Sequence, residues 1–181
     1  MNEDEVPVQR GESGVDWVAW QPGEKAVLCF IVEEGRILLI EKKRGLGAGK
    51  VNGPGGRIEA GETPLQAALR ETEEEVGVLP LGVRQAGVLS FQFTDGYALH
   101  CTVFRADSFR GKFRETEEAI PFWSELDSIP FERMWADDVH WLPGAIAGDR
   151  FLGYFRFDGD EMVNRAVFWL QDDAVGLSGE A

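Results

Sequence analysis

Between Gly53 and Val78 the chain gathers glutamates at 59, 62, 71, 73, 74 and 75, arginines at 57 and 70, and glycines at 53, 55, 56, 61 and 77. Most of these charges fall on one predicted helix. Thr63 with Gln66 three residues on makes a capping box, Pro64 sits where a helix best accepts proline, and Gly77 supplies the stop. Leu65, Ala68, Leu69, Thr72 and Val76 recur at helical spacing and are expected to form its buried stripe, with Glu71, Glu74 and Glu75 presented together on another face. Each like-charge pair at that spacing destabilises a helix by roughly 0.2–0.5 kcal/mol. These acids also crowd the last turns, where the helix dipole is negative. A hard divalent cation, Mg2+ or Mn2+, reverses the sign of the problem, because carboxylate oxygens hold it together with waters and substrate phosphates. Four glutamates in five positions, taken alone, are equally well a solvated face on an acidic protein.

The full spacing says more. From Gly56 five residues lead to Glu62, seven more to Arg70-Glu71, and then come Glu74-Glu75, Gly77 and the apolar Val78. The arrangement resembles the signature of the Nudix hydrolases, G-x5-E-x7-R-E-U-x-E-E-x-G-U with U apolar, a family that cleaves nucleoside diphosphates linked to another moiety. Every charged and glycine position matches. Thr72 stands where a bulky aliphatic is usual; its methyl can face the core while its hydroxyl bonds back along the helix.

Three further stretches, KKRGLGAGKVNGPGGRIEAGE, WSELDSIPFERMWADD and FLGYFRF, resemble a branch of that family acting on oxidised purine nucleoside triphosphates, and the similarity runs from about Ala26 to Leu170. The resemblance implies an α/β/α sandwich with a mixed β-sheet, and metal ligation by the Gly55 carbonyl, Glu71, Glu74, Glu75 and the distant Glu118. It also implies a nucleotide pocket built from Lys42, Asn52, Phe91, Phe93, Trp135, Asp137 and Asp138. Leu46 and Pro54 replace phenylalanines of that branch, and Val51 a tryptophan, so base preference is left open. Trp135 offers a flat face for a purine. Asp137 and Asp138 can accept from its edge nitrogens, or donate to a carbonyl if they share a proton; the plainer reading is a helix cap beside a core tryptophan.

The expected reaction is metal-assisted hydrolysis to a monophosphate and pyrophosphate, with Arg70 orienting the glutamates, Glu62 paired to it or in the outer shell, and Glu71 or Glu118 as the base. Two alternatives stand beside it. One is hydrolysis of another capped diphosphate, such as a dinucleoside polyphosphate or a nucleotide sugar. The other is a non-catalytic reader of oxidised guanine, which would have lost the signature glutamates that are present here.

Charge narrows the partners. A net charge of −14 argues against polymeric nucleic acid, which binds to basic faces. The exception is Lys42 to Arg57, with Lys42, Lys43, Arg44, Lys50 and Arg57 and no acid among them, read as a phosphate-attracting mouth. Gly56 and Arg57 are therefore placed with the substrate-binding residues. His100 and His140 have no metal-ligand partner at suitable spacing. No apolar run approaches the ~18 residues of a membrane span, and MNEDEVPVQRGES lacks the basic and apolar parts of a secretory signal. Cys29 and Cys101, each within an apolar run, read as free core thiols of a cytoplasmic protein, and a monomer is expected.

The elements around the glutamate helix read as paired strands. Ala26–Val32 with Arg36–Ile40, Val83–Phe93 with Tyr97–Phe104, and Phe151–Phe157 with Val163–Leu170 form hairpins turned by Glu33-Glu34-Gly35, Thr94-Asp95-Gly96 and Asp158-Gly159-Asp160. Asp107 to Glu118 reads as a loop and Ile120 to Trp123 as a short strand. A second helix is expected from Pro130, broken near Pro143-Gly144. The boundaries follow: an acidic extension over 1–22, a catalytic domain over 23–171 and a tail over 172–181.

Overall fold

The three expected hairpins form for the reason their sequences give: β-rich runs on either side of a glycine-containing turn. A computed structural model describes residues 14–170; the expected extension up to residue 13 and the tail from 172 lie outside the described residues. The first hairpin is β1 (Glu24–Glu33) and β2 (Arg36–Lys42). Two short strands, β3 (Val51–Asn52) and β4 (Gly55–Arg57), lead to α1 (Pro64–Val76), and β5 (Val78–Leu81) follows. The second hairpin is β6 (Arg84–Phe93) and β7 (Ala98–Ala106), then β8 (Ser108–Gly111) and β9 (Ala119–Glu125). A single 3-10 turn (Phe131–Arg133) precedes α2 (Asp138–Ala147), and β10 (Arg150–Asp158) with β11 (Glu161–Leu170) closes the chain.

Among the described residues nine strands make one mixed sheet, with the path β11-β10-β6-β7-β1-β2-β3, β4 paired to β1 and β9 to β2. The pairings β1–β7 and β6–β10 are parallel and the others antiparallel. Side chains alternate across the strands, so β1 sends Val27, Cys29 and Ile31 to one face, against Ala67, Ala68 and Val76 of α1. It sends Phe30 and Val32 to the other, where Leu89, Phe151, Phe155 and Phe157 meet Trp141 and Leu142 of α2. The expected α/β/α sandwich is what the chain forms.

Four local expectations are revised. The buried stripe of α1 is rotated: Leu65 is 42% exposed, Ala67 is buried beside Ala68, and Glu75 is buried at 1% exposure. Small alanines bring α1 close to β1 and β4, and the acid is drawn inward by a donor described below. Within the expected loop 107–118, β8 pairs with β5 in a separate two-stranded ribbon, a partner too distant in sequence for local pattern to reveal. The second helix starts at Asp138, and it runs through Pro143-Gly144 to a left-handed Gly148. A proline inside a helix costs about 3 kcal/mol, an amount offset by the full burial of Trp141 and Leu142 just ahead of it. Finally, residues ahead of β1 belong to the fold: Trp17 is 4% exposed and packs on Tyr154 with ring centroids 5.2 Å apart, while Trp20 Nε1 donates to Gln92 Oε1 at 2.9 Å.

Candidate active site

Helix α1 begins as its sequence dictates. Thr63 accepts from Gln66 N, the Gln66 side chain accepts from Thr63 N, and Gly77 ends the helix in the left-handed region at φ 81°. Thr72 Oγ1 donates back to Ala68 O at 2.7 Å, so the unusual threonine is satisfied within its own helix. The start and stop fix which turns carry Arg70 to Glu75.

The glycine turn is shaped to the glutamates. A Cβ on Gly56 would lie 2.4 Å from Glu71 Cδ, and one on Gly55 would lie 2.1 Å from Val27 O. Only glycine lets β4 pass between the carboxylate and β1. Gly55 N donates to Glu75 Oε2 at 2.9 Å, and Lys42 Nζ stands 3.4 Å from Glu75 Oε1. Burial nonetheless pushes the Glu75 carboxyl above its ordinary range; Lys42 and the Gly55 N–H oppose the shift and Glu71 adds to it. Glu71 is also raised, first by desolvation, against the pull of Arg70 and with repulsion from Glu74 and Glu118.

Arg70 is the hub. Its Nε and Nη2 donate to the two Glu62 oxygens at 2.7 and 2.9 Å, and its Nη1 donates to Glu71 at 2.8 Å and Glu74 at 3.2 Å. The fork holds the Glu62 carboxyl down to about 2. Glu118 arrives from the loop before β9, where its side chain meets Arg44 and its carbonyl accepts from Lys43 N. Thr116 was not singled out in the sequence: its Oγ1 donates to the carbonyl of Glu75 at 2.9 Å and accepts from Glu118 N and Ala119 N, tying that loop to the end of α1.

Next to these glutamates lies a cavity of about 120 Å³. Lys42, Asn52, Gly55 and Gly56 line it together with Phe91, Phe93, Trp135, Asp137 and Asp138, so most of the expected substrate residues share one space. Arg57 is the exception, since its side chain points to solvent and donates to Glu24 Oε2 at 3.0 Å, leaving only its carbonyl to accept from Arg70. Phe157, Leu89 and Cys101 also line it; their place in the apolar runs of β6, β7 and β10 was their only signal.

At the buried end the two aspartates are 1% and 3% exposed. Asp137 Oδ2 accepts from Trp141 Nε1 at 2.9 Å while its Oδ1 is buried with no partner. Asp138 Oδ2 accepts from Trp135 N at 3.1 Å. Asp137 stands at the N-cap of α2 and makes no side-chain capping bond, so the plain capping reading does not account for it. Burial raises both carboxyls, Asp137 to about 6, and repulsion from Asp137 raises Asp138 further.

The NUDIX domain profile matches residues 23–144. The chain belongs to the Nudix family. Among its relatives, the oxidized purine nucleoside triphosphate hydrolase of Danio rerio is 45% identical over 139 residues, covering 75% of this chain and 88% of that protein. The mouse protein of the same name is 38% identical over 137 residues, with the same coverage of each chain. Among solved structures, a MutT protein from Bacillus halodurans superposes with a TM-score of 0.72 at 26% identity, covering 80% of this chain and 97% of that one.

Nudix hydrolases use divalent metal ions, and the donors of this Nudix helix are of the right kind: hard carboxylate oxygens, one of them buried. Among the described residues no three such side chains converge on one ligation point. Each is instead held by a cation of the chain, Glu75 by Lys42, Glu71 and Glu74 by Arg70, and Glu118 by Arg44. Three cations, Lys42, Arg70 and Arg44, thus face five carboxylates once Glu62 is counted, and the excess negative charge that makes a metal welcome remains.

Proposed function

We propose that this Nudix enzyme hydrolyses oxidised purine nucleoside triphosphates to the monophosphate and pyrophosphate, sanitising the nucleotide pool with Mg2+ as its ion. The observation that carries this reading is the buried pair Asp137–Asp138, one oxygen of it unpartnered, at the end of an aromatic cavity that opens beside the glutamate helix. Raised carboxyl pKa values allow this pair to present a proton donor next to an acceptor. An oxidised purine edge, with an added carbonyl or hydroxyl and shifted ring N–H groups, offers the complement. Trp135, Phe91 and Phe93 supply apolar surface for the ring, and Asn52 a further amide.

At the other end, Glu71, Glu74, Glu75, Glu118 and the Gly55 carbonyl would hold the ions, which clamp phosphate oxygens and activate water when bound. Arg70 fixes the geometry of Glu71 and Glu74 through charge-assisted hydrogen bonds. Glu71, more buried than Glu118 and raised above the ordinary carboxylate range, is the better base for the water's proton. Lys42, which lines the cavity beside Glu75, would bind substrate phosphate. The enzyme acts on a small nucleotide, as a monomer, and in the cytoplasm, where its two buried thiols stay free.

Steady-state rates of pyrophosphate release for 8-oxo-dGTP, 2-hydroxy-dATP and dGTP test the assignment. At least one oxidised purine is expected to exceed dGTP in kcat/KM by about tenfold or more, the worth of one good polar contact. Equal constants for all three, or a higher constant for a dinucleoside polyphosphate or nucleotide sugar, would overturn it.

A further inference from the structure

Lys50 belongs to the basic run beside the phosphate end of the cavity, but its ammonium is engaged elsewhere. It lies 4.9 Å from the centroid of the Trp135 ring and 3.0 Å from Asp160 Oδ2. Asp160 stands in the β10–β11 turn, three residues after the cavity-lining Phe157. The loop before β3 is closed on itself, with Gly49 N donating to Lys42 O at 2.7 Å and Lys50 N to Gly47 O at 2.9 Å. Gly47 adopts φ 77°, and a Cβ there would lie 2.9 Å from Trp135 Nε1. On its other contacts the indole meets Phe157 at 5.6 Å and Phe93 at 6.3 Å, both edge to face. Three segments far apart in sequence therefore meet on one tryptophan.

We propose that Lys50, anchored by Asp160, is a positioning residue that sets the plane of the Trp135 indole, so that base selection depends on an ion pair outside the cavity. The proposal rests on Trp135 being the wall against which the base stacks. A cation within about 6 Å of a ring centroid is held by the ring's quadrupole, and the carboxylate of Asp160 keeps the ammonium there. An exposed ion pair of this kind contributes little to stability. Removing it leaves the protein folded and frees the indole to rock against Phe93 and Phe157.

The test compares Lys50→Met, Lys50→Arg and Asp160→Asn. For the best purine triphosphate, Lys50→Met and Asp160→Asn are expected to raise KM about two- to fivefold, the worth of an exposed cation–π contact, with kcat little changed. Lys50→Arg restores it, since a guanidinium also stacks on an indole. Inorganic tripolyphosphate, which has no base, should inhibit all four proteins alike. If Lys50 instead contacts phosphate, Asp160→Asn releases the ammonium and lowers KM, and Lys50→Met weakens tripolyphosphate; either result overturns the proposal. A second readout needs no substrate: the indole N–H resonance of Trp135 in 15N-labelled protein, assigned with Trp135→Phe, should shift or broaden in Lys50→Met and Asp160→Asn. An unmoved resonance overturns the clamp itself. A resonance that moves while nucleotide KM does not overturns the role of Trp135 in base binding.

Discussion

At the residue scale three buried acids decide most of the behaviour, Glu75 and the pair Asp137–Asp138, and all are held above the ordinary carboxylate range by burial. Glu75→Gln keeps an acceptor for Gly55 N and removes a charge that Glu71 repels. Its melting temperature without metal should equal or exceed that of the parent, the rise in melting temperature on adding Mg2+ should disappear, and turnover should fall about a hundredfold or more. Turnover within a few-fold of the parent would remove Glu75 from the catalytic set. For the aspartate pair the folded-state values lie above the ordinary aspartate range, Asp137 at about 6. The folded protein therefore binds more protons than the unfolded chain across that window, and the pair's contribution to stability falls as pH rises through it. Asp138→Asn retains an acceptor for Trp135 N without the ionisation, so its melting temperature relative to the parent should climb as pH rises above the ordinary aspartate range. A difference that is flat with pH would mean the pair does not titrate in this range. The glutamates were readable from spacing alone, because i, i+3 and i+4 identities report on one helix. The burial of Glu75 was not, since it depends on Gly55, a residue of another element.

At the scale of elements, the glycine turn and α1 form one fitted unit. Gly56→Ala places a methyl where the Glu71 carboxylate lies; the far end of a flexible side chain gives way, so the fold should persist. A misplacement near 1 Å at a catalytic group costs about a hundredfold. We expect kcat to drop by that order with a melting temperature within a few degrees of the parent, measured side by side; unchanged kcat would mean that Glu71 tolerates displacement. The caps of α1, Thr63 with Gln66 and Gly77, were legible because capping is local chemistry. The start of α2 and the β5–β8 ribbon were not, because Pro143 inside a helix and a pairing across some thirty residues are settled by burial and register rather than by neighbouring residues.

Over the whole molecule, the sheet separates two jobs. The cavity draws Leu89, Phe91 and Phe157 from one face of β6 and β10, while Trp17 covers Val88, Leu152 and Tyr154 on the other. Trp17→Ala should cost about 3–5 kcal/mol, a fall in melting temperature on the order of 10 °C, with kcat/KM at low temperature changed little. A loss of kcat/KM as large as that of a cavity variant would show that the strap ahead of β1 shapes the cavity from behind. The alternation that assigned residues to faces was visible in each strand, but the order of the strands was not, since parallel neighbours leave no trace in the residues between them. That order governs how the chain reaches its structure. Strand β1 finds its parallel neighbour β7 only after about seventy residues have followed it, and β6 waits as long for β10. Such non-local pairings must pay loop-closure entropy before any contact rewards it, which slows folding relative to a hairpin-only sheet. On the ribosome Lys42, Gly55 and Arg70, the partners of the helix glutamates, all emerge before β7, whereas Phe157 of the cavity wall arrives only with the closing hairpin, so the cavity is completed last.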